Sequence, residues 1–143
     1  MPLVRIDLQK GKDAAYRKQI GRVVYEAMVG VGVPADDRFQ VLSEHDADNF
    51  LFDPDYLGIH RTDDLVIIQI TWNEGRTVEQ KKQLYKAIAE GLAKSPGVRP
   101  EDVSSMSFNC KRSNDNGQVA EKGGRGYRRH HGNRFRYSEA VRR

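Results

Sequence analysis

The spacing of apolar residues along the chain predicts two kinds of secondary structure in a repeating order. Short runs rich in branched apolar residues are typical of strands, and they lie at 3–8, 38–45, 65–72 and 103–109. Two longer segments place apolar residues every three or four positions, the pattern of one helix face. These residues are Tyr16, Ile20, Val23, Val24, Ala27, Met28 and Val31, then Leu84, Tyr85, Ile88 and Leu92. The sequence therefore predicts two successive strand–helix–strand units.

Residues with strong capping preferences mark the ends of both predicted helices. Asp13 can cap the first helix, and Gly32 followed by Pro34 is placed to end it. The second helix opens at Thr77 with Gln80 three residues later, which is the spacing of a capping box. Both segments therefore qualify as helices by their ends as well as by their apolar faces.

The two units are joined by a polar connection at residues 46–62. We expect four of its side chains to hold it against the core: Phe50, Phe52, Tyr56 and Leu57. The strand that follows, at 65–72, is branched and nearly continuously apolar, which predicts a central position in the sheet. Because both faces of that strand are largely apolar, we expect oligomerisation to cover one of them.

The two halves of the chain resemble each other. The first helix leads into GVP at 32–34 and the second into GVRP at 97–100, with an aspartate following in each case. This indicates a duplicated β-α-β unit, each with a right-handed parallel crossover. The expected fold class is α+β, with a four-stranded sheet and both helices on one face.

Length and composition exclude several classes of protein. At 143 residues, 38% of them hydrophobic, the chain has the length of one ordinary domain. No apolar run approaches the roughly 18–20 residues that span a bilayer, and the N-terminus lacks a signal-peptide pattern. The single cysteine, Cys110, cannot form a disulfide within its own chain. We therefore expect a soluble, cytoplasmic protein.

The net charge of +4 conceals two regions of opposite sign. Residues 1–110 carry 14 basic against 17 acidic side chains, whereas residues 111–143 carry 10 against 3. We predict a domain at 1–110 and a basic, Arg/Gly-rich tail at 111–143, disordered because it is highly charged and poor in aliphatic residues. The alternative is an electrostatic arm for nucleic acid, in which Tyr127, Phe135 and Tyr137 stack on bases.

Common catalytic motifs and metal-ligand clusters are absent from the sequence, which has no G-x-S-x-G, P-loop or H-E-x-x-H. His45 and His60 are isolated, and we interpret them as surface or hydrogen-bonded histidines. His130 and His131 are adjacent in the basic tail and lack a third ligand. We therefore look for catalytic and substrate-binding residues elsewhere in the sequence.

Pro2 follows the initiator methionine directly and opens the first predicted strand. A small second residue allows methionine aminopeptidase to remove Met1, which leaves a secondary amine held at the end of a strand. Burial in an apolar pocket disfavours the protonated form of such an amine and lowers its pKa toward neutrality. Pro2 is therefore a candidate general base, against the alternative that this proline has no catalytic role.

Arg76 and Asp37 are the other candidate site residues. Arg76 follows the strand at 65–72, where a guanidinium can hold a carboxylate through two hydrogen bonds. The alternative is a solvated loop residue. Asp37 precedes the second strand and can orient a water or polarise a carbonyl, or else pair with Arg38 or cap a turn.

Four segments of the sequence together resemble the tautomerase superfamily. They are MPL at 1–3, GVPADDRFQ at 32–40, YLGIHRTDD at 56–64 and GRTVEQK at 75–81. The branch that looks closest is the malonate semialdehyde decarboxylase group, relatives of 4-oxalocrotonate tautomerase, and the resemblance covers residues 2–106. It implies a duplicated β-α-β unit, a trimer and an amino-terminal proline as the catalytic group.

The resemblance also implies roles for two residues and shows two departures. An arginine at the position of Arg76 binds the substrate carboxylate in that group, and an aspartate at the position of Asp37 assists the chemistry. Glu74 stands where the decarboxylases have a second arginine, which weakens the expectation of malonate semialdehyde as substrate. After Phe108 the sequence loses the resemblance, including the aromatic segment that closes the family's active site.

We therefore predict a tautomerase acting on a small 2-oxo or enol carboxylic acid. Pro2 is the expected base, Arg76 and Trp72 bind the substrate, and Asp37 assists. One alternative is a decarboxylase or hydratase of a 3-oxo acid, with protonated Pro2 as the acid and Asp37 positioning water. Another is a catalytically inactive tautomerase-like binding module. Neither the tautomerase nor the decarboxylase or hydratase hypothesis needs a metal or a cofactor. The expected partners are a small carboxylate substrate and two further copies of the chain, and no association with a membrane is expected.

Overall fold

The computed structural model describes residues 2–110, in which the elements follow the predicted order. The helices and strands are β1 (Leu3–Gln9), α1 (Ala14–Gly30), β2 (Gln40–His45), β3 (Val66–Asn73), α2 (Val78–Lys94) and β4 (Val103–Cys110). Short 3₁₀ turns lie in the connections at Ala47–Asn49, Tyr56–Gly58 and Pro100–Asp102. The tail predicted for 111–143, with its nucleic-acid alternative and its paired histidines, lies outside the described residues.

The strands form one mixed sheet in the order β2-β1-β3-β4. β1 runs parallel to β2, and β3 runs parallel to β4, so each β-α-β unit has the predicted parallel pairing. The two units meet through the antiparallel pair β1–β3, in which Leu3 faces Thr71 and Leu8 faces Val66. The start of β1 and the end of β3 therefore lie at the same end of the sheet.

Both helices pack on one face of this sheet, as predicted. Alternate strand residues point toward the helices. The buried strand residues on that face are Val4, Ile6, Leu8, Val66, Ile68, Ile70 and Trp72. They share one hydrophobic core with the helix residues Ile20, Val24, Met28, Leu84, Ile88 and Leu92. The α+β architecture expected from the sequence is confirmed.

The predicted signals at the helix ends are present as hydrogen bonds. Asp13 Oδ1 accepts from the amide of Tyr16 at 2.7 Å. The capping box is complete, because Thr77 Oγ1 accepts from the Gln80 amide at 3.1 Å and Gln80 Oε1 accepts from the Thr77 amide at 3.0 Å. Gly32 adopts a φ of +92°, a conformation that suits glycine just beyond a helix end. No helix of residues 2–110 is long and apolar enough to cross a membrane.

The connection between β2 and β3 is held only partly as predicted. Phe50 is buried, and the half-buried Phe52 packs edge-on against it with ring centres 6.0 Å apart. Tyr56 and Leu57 are 55% and 59% exposed, so the prediction that they hold the connection is wrong. The reason is that polar bonds rather than apolar contacts fix this end of the connection.

Those polar bonds converge on Asp102, which is fully buried beside the start of β4. Its two carboxylate oxygens accept from the Thr62 amide at 2.7 Å and from the Thr62 hydroxyl at 2.8 Å. Arg99 lies nearby, with Nε 3.7 Å from Asp102 Oδ2. The connection is thereby anchored directly before β3 begins.

The other face of the sheet carries exposed apolar side chains on three strands. Leu3, Val41, Met106 and Phe108 are each between 37% and 47% exposed. The strand register places all four on the side away from the helices. We call these four residues the outer sheet patch.

Candidate active site

Pro2 lies one residue before β1 and is buried. The β1–β3 register pairs Val4 with Ile70, and continuing it by two residues places Pro2 opposite Trp72. Because alternate residues of a strand share a face, Pro2 and Trp72 both lie on the helix-covered side. The antiparallel junction of the two units thus brings together residues that are 70 positions apart in the sequence.

A small cleft opens beside Pro2, between the start of β1, helix α1 and the loop that precedes β2. Its other lining residues are Val4, Tyr25, Met28, Val33, Asp37, Arg38, Phe39 and Gln40. Most of this lining is apolar or aromatic, and Asp37 contributes a carboxylate. The structure therefore brings Pro2 and Asp37, which the sequence singled out separately, to one cleft.

Hydrogen bonds fix the path of the loop that carries Asp37. The amide of Asp37 donates to the carbonyl oxygen of Pro34 at 3.1 Å. The hydroxyl of Tyr25 on α1 donates to the carbonyl oxygen of Ala35 at 2.8 Å. Asp37 itself is half-buried. Its position beside Pro2 is therefore set by the loop and by α1 together.

Arg38 lines the same cleft, and its guanidinium extends along α1. Its Nε donates to Gln40 Oε1 at 3.1 Å, and its guanidinium carbon lies 4.7 Å from the centre of the Tyr25 ring. Gln40 in turn donates to the carbonyl oxygen of Gly21 at 3.0 Å.

The sequence analysis singled out neither Tyr25 nor Phe39 as a site residue. No spacing rule signals such residues, because the cleft is built from segments that are distant in the sequence.

Arg76 lies in the turn between β3 and α2, half-buried above Trp72. Its guanidinium carbon is 5.6 Å from the centre of the indole ring. Its Nη1 also approaches Gly32, 3.7 Å from where a Cβ at that glycine would lie. The loop that begins at Gly32 supplies Val33 and Asp37 to the cleft. Arg76 and the Pro2 cleft therefore border the same loop.

Trp72 combines deep burial with an unusual hydrogen-bonding state. Its side chain is 3% exposed, and its Nε1 has no acceptor among residues 2–110. Most buried donors in proteins find a partner. The indole N–H is thus a buried donor without an acceptor in the described part of the chain, at the end of the sheet that holds Pro2.

The histidines of the described region are hydrogen-bonded, as the sequence indicated. His45 Nε2 lies 2.7 Å from Asp7 Oδ1, and His60 Nδ1 lies 2.8 Å from Asp55 Oδ1. Within residues 2–110, no group of three or more His, Cys, Asp or Glu side chains is arranged to hold a metal ion.

Sequence comparison identifies the family. A family model described as "Tautomerase enzyme" matches residues 37–114, and a second model of the same description matches residues 2–59. The chain belongs to the tautomerase family. The probable tautomerase YusQ of Bacillus subtilis (strain 168) is 40% identical over 107 residues, covering 74% of this chain and 84% of YusQ. The probable tautomerase YrdN of the same organism is 33% identical over 104 residues, covering 72% and 80% of the two chains.

Solved structures agree with this membership. FG41 malonate semialdehyde decarboxylase inhibited by 3-bromopropiolate superposes with a TM-score of 0.72 at 34% identity, covering 82% of this chain and 91% of that chain. A second malonate semialdehyde decarboxylase has a TM-score of 0.72 at 28% identity, covering 82% and 92%. Native fused 4-OT has a TM-score of 0.67 at 21% identity, covering 83% and 94%, and shows the shared fold.

The relatives YusQ and YrdN are named as probable tautomerases, and the decarboxylases with similar structures are enzymes. This member of the tautomerase family is therefore an enzyme with tautomerase-type activity. The superfamily resemblance stated from four sequence segments is confirmed. The alternative of a catalytically inactive binding module finds no support.

Proposed function

We propose that this tautomerase interconverts the keto and enol forms of a small 2-oxo carboxylic acid, with the Pro2 nitrogen as general base. The observation that supports this most directly is the burial of Pro2 in a cleft that also contains Asp37. Trp72 lies at the same end of the sheet on β3, the strand next to β1, and Arg76 lies in the turn that follows β3. These groups require no metal or cofactor for the proposed reaction.

The proposed base acts after removal of Met1, when Pro2 carries a free secondary amine. Burial beside apolar side chains such as Val4 and Met28 favours the neutral amine over the charged form. The nitrogen removes a proton from C3 of the substrate, and the electrons of the broken C–H bond form a C2=C3 double bond. The C2 oxygen takes up negative charge and then the proton, which completes the enol.

Arg76 binds the substrate carboxylate in this proposal. A guanidinium presents two parallel N–H donors to a carboxylate, and contact with the Trp72 ring restricts its orientation. Glu74 is exposed two residues earlier in the same turn and adds a negative charge close to Arg76 in the sequence. A substrate with a second carboxylate would meet that charge, so a monocarboxylate is favoured.

Asp37 supports a second candidate reaction at the same site. If Pro2 stays protonated, it acts as an acid, and Asp37 positions water for hydration or decarboxylation of a 3-oxo acid. Two malonate semialdehyde decarboxylases have similar structures, and one of them has decarboxylase and hydratase activities, which favours keeping this alternative. Glu74 weighs against malonate semialdehyde as its substrate.

We also propose that the enzyme is a homotrimer that buries the outer sheet patch. That patch leaves Leu3, Val41, Met106 and Phe108 partly exposed on one side of the sheet. Apolar side chains grouped on an exposed face are typical of a protein–protein interface. Fused 4-OT proteins of similar fold form symmetric and asymmetric trimers. A cytoplasmic location stays a prediction from the sequence.

The decisive experiment combines intact mass with a pH–rate profile for phenylpyruvate tautomerisation. We expect the purified chain to lack Met1 and kcat/KM to fall as the base is protonated, with an apparent pKa below the ordinary α-amine range of about 7.7–8.0. The matched control carries an N-terminal peptide tag that turns the Pro2 nitrogen into an amide, and it should be inactive. Full activity in the tagged chain, or retention of Met1 in active enzyme, would remove Pro2 from its assigned role.

A further inference from the structure

The loop that carries Asp37 is bonded to α1 at one end and to β1 at the other. At the first end the amide of Val33 donates to a carbonyl oxygen of α1 at 3.1 Å. At the second end the carbonyl oxygen of Phe39 accepts from the amide of Val4 on β1 at 2.9 Å. Residues 34–38 form the span between these two bonds, and Asp37 lies within it. The path of that span decides where the carboxylate lies.

Tyr25 of α1 contacts this span on both sides of Asp37. It is half-buried and lines the cleft beside Pro2. Its hydroxyl donates to the carbonyl oxygen of Ala35, two residues before Asp37, at 2.8 Å. The guanidinium carbon of Arg38, the next residue after Asp37, lies over its ring at 4.7 Å from the centre. One side chain of the helix therefore holds the span where it borders the cleft.

We propose that Tyr25 is a positioning residue, whose hydroxyl keeps the Asp37 carboxylate at the place in the Pro2 cleft that the reaction requires. This inference rests on the proposed function, in which Asp37 assists the chemistry. Tyr25 acts through Asp37 and donates its own hydroxyl proton to the loop rather than to a substrate. A misplacement of about 1 Å in a catalytic group can cost about 100-fold in rate, so a bond two residues away affects kcat.

Tyr25→Phe isolates the contribution of this bond. The change removes the hydroxyl and keeps a ring against Arg38. Ala35 is exposed, so water replaces the hydroxyl at its carbonyl oxygen, and the fold survives the change. A bond to water does not fix the span against α1. The variant therefore loses the position of the loop and keeps the rest of the cleft.

A double-mutant cycle with Asp37→Asn tests whether Tyr25 acts through Asp37. The probes are phenylpyruvate for tautomerisation and acetoacetate for decarboxylation, and kcat is compared for each reaction that the wild type catalyses. We expect Tyr25→Phe alone to lower kcat about 3- to 10-fold, with KM changed less than about 3-fold. In the Asp37→Asn background the same change should lower kcat less than about 2-fold, because the positioned carboxylate is gone. Equal losses in both backgrounds would overturn the proposal.

Hydrogen exchange of the Asp37 amide, followed by NMR, measures the loop without any substrate. That amide donates to the carbonyl oxygen of Pro34 at 3.1 Å, so faster exchange reports opening of the span. We expect about 10-fold faster exchange in Tyr25→Phe, and unchanged exchange would overturn the proposal. The matched control is Tyr85→Phe on α2, which loses a hydroxyl bond to Ser107 Oγ of 2.6 Å and lies outside the cleft lining. It should change neither exchange at Asp37 nor kcat.

These outcomes separate the inference from the proposed function. An active enzyme in which the changes at Tyr25 and Asp37 act independently keeps its function and loses Tyr25 as a positioning residue. A wild-type chain inactive on both probes loses the proposed function, and the catalytic role of Tyr25 fails with it, even where exchange shows that the hydroxyl holds the loop. Asp37→Asn without effect on either reaction leaves tautomerisation by Pro2 standing and overturns the inference alone.

Discussion

The guanidinium carbon of Arg76 lies 5.6 Å from the centre of the Trp72 indole ring. This contact joins a residue of a turn to the last buried residue of the central strand β3. A long arginine side chain in a turn is ordinarily free to sample many conformations, and the ring limits them. The cation is thereby held at the end of the sheet where β1 begins, and the first prediction follows from this arrangement.

Replacing Arg76 should weaken substrate binding. Arg76→Ala removes charge-assisted hydrogen bonds to the substrate carboxylate, and we expect KM for phenylpyruvate to rise about 10- to 100-fold. Arg76→Lys keeps the charge but loses the paired donors, so an intermediate rise is expected. Steady-state kinetics measure both effects.

The matched control for these variants is Arg22→Ala. Arg22 is exposed on α1, where its Nε pairs with Glu26 at 2.8 Å, and it does not line the cleft. Its replacement should leave KM unchanged. A KM for Arg76→Ala equal to that of the wild type would assign the carboxylate to another cation, with Arg38 the next to test.

Asp37→Asn should distinguish the two candidate reactions. Asparagine keeps the size of the side chain but cannot take a proton from water. We expect hydration or decarboxylation of a 3-oxo acid to fall by about 100-fold or more, the usual contribution of a positioned acid–base group. Tautomerisation, which uses the Pro2 nitrogen as base, should fall by less than about 10-fold.

Asp36→Asn is the control, because Asp36 is the exposed neighbour and is absent from the cleft lining. Both activities should survive that change. If Asp37→Asn abolishes tautomerisation while the variant remains folded, Asp37 rather than Pro2 becomes the leading candidate for the base.

The elements of this fold were predictable because each leaves a local signal. The spacing of apolar residues located α1 and α2, and the Thr77–Gln80 pair located the start of α2 to the residue. The connection at 46–62 was predicted less well. Its exposed Leu57 looks like a core residue by type, whereas the contact that holds the chain here is a bond from Thr62 to Asp102, 40 residues away.

The site residues were predictable singly but their arrangement was not. Pro2, Asp37 and Arg76 each belong to recognisable sequence segments. Pro2 and Asp37 share a cleft because β1 pairs with β2, and the turn of Arg76 lies at the same end of the sheet because β1 pairs antiparallel with β3. No apolar spacing specifies which strands become neighbours. Trp72 Nε1 is buried and has no acceptor among residues 2–110. That state depends on the three-dimensional surroundings of the ring, so the sequence predicted Trp72 as a substrate contact but not as a buried donor.

A charge on the outer sheet patch should dissociate the proposed trimer. Met106→Lys places an ammonium group within the patch, where burial between subunits would strip it of water. We expect light scattering after size exclusion to give three chain masses for the wild type and a smaller species for the variant. Leu51→Lys, at a side chain 86% exposed in the connection, should leave the mass unchanged. A monomeric wild type would contradict the trimer directly.

The helix pair depends on the absence of a side chain at Gly91. A Cβ at this position would lie 2.6 Å from Cγ1 of Val23, which is itself buried on α1. Gly91→Ala should therefore push α2 away from α1 and lower the free energy of unfolding by about 1–3 kcal/mol. Chemical denaturation at one fixed protein concentration measures the change, since an oligomer's stability depends on concentration.

Two further variants test whether this cost comes from the contact with Val23. Gly30→Ala, at the end of α1, has nothing within 4 Å of the new Cβ and should stabilise the protein by up to about 1 kcal/mol through helix propensity. Combining Gly91→Ala with Val23→Ala makes room for the new methyl group. The double variant should then lose less stability than the sum of its single changes, whereas strict additivity would show that the helices do not meet at these two residues.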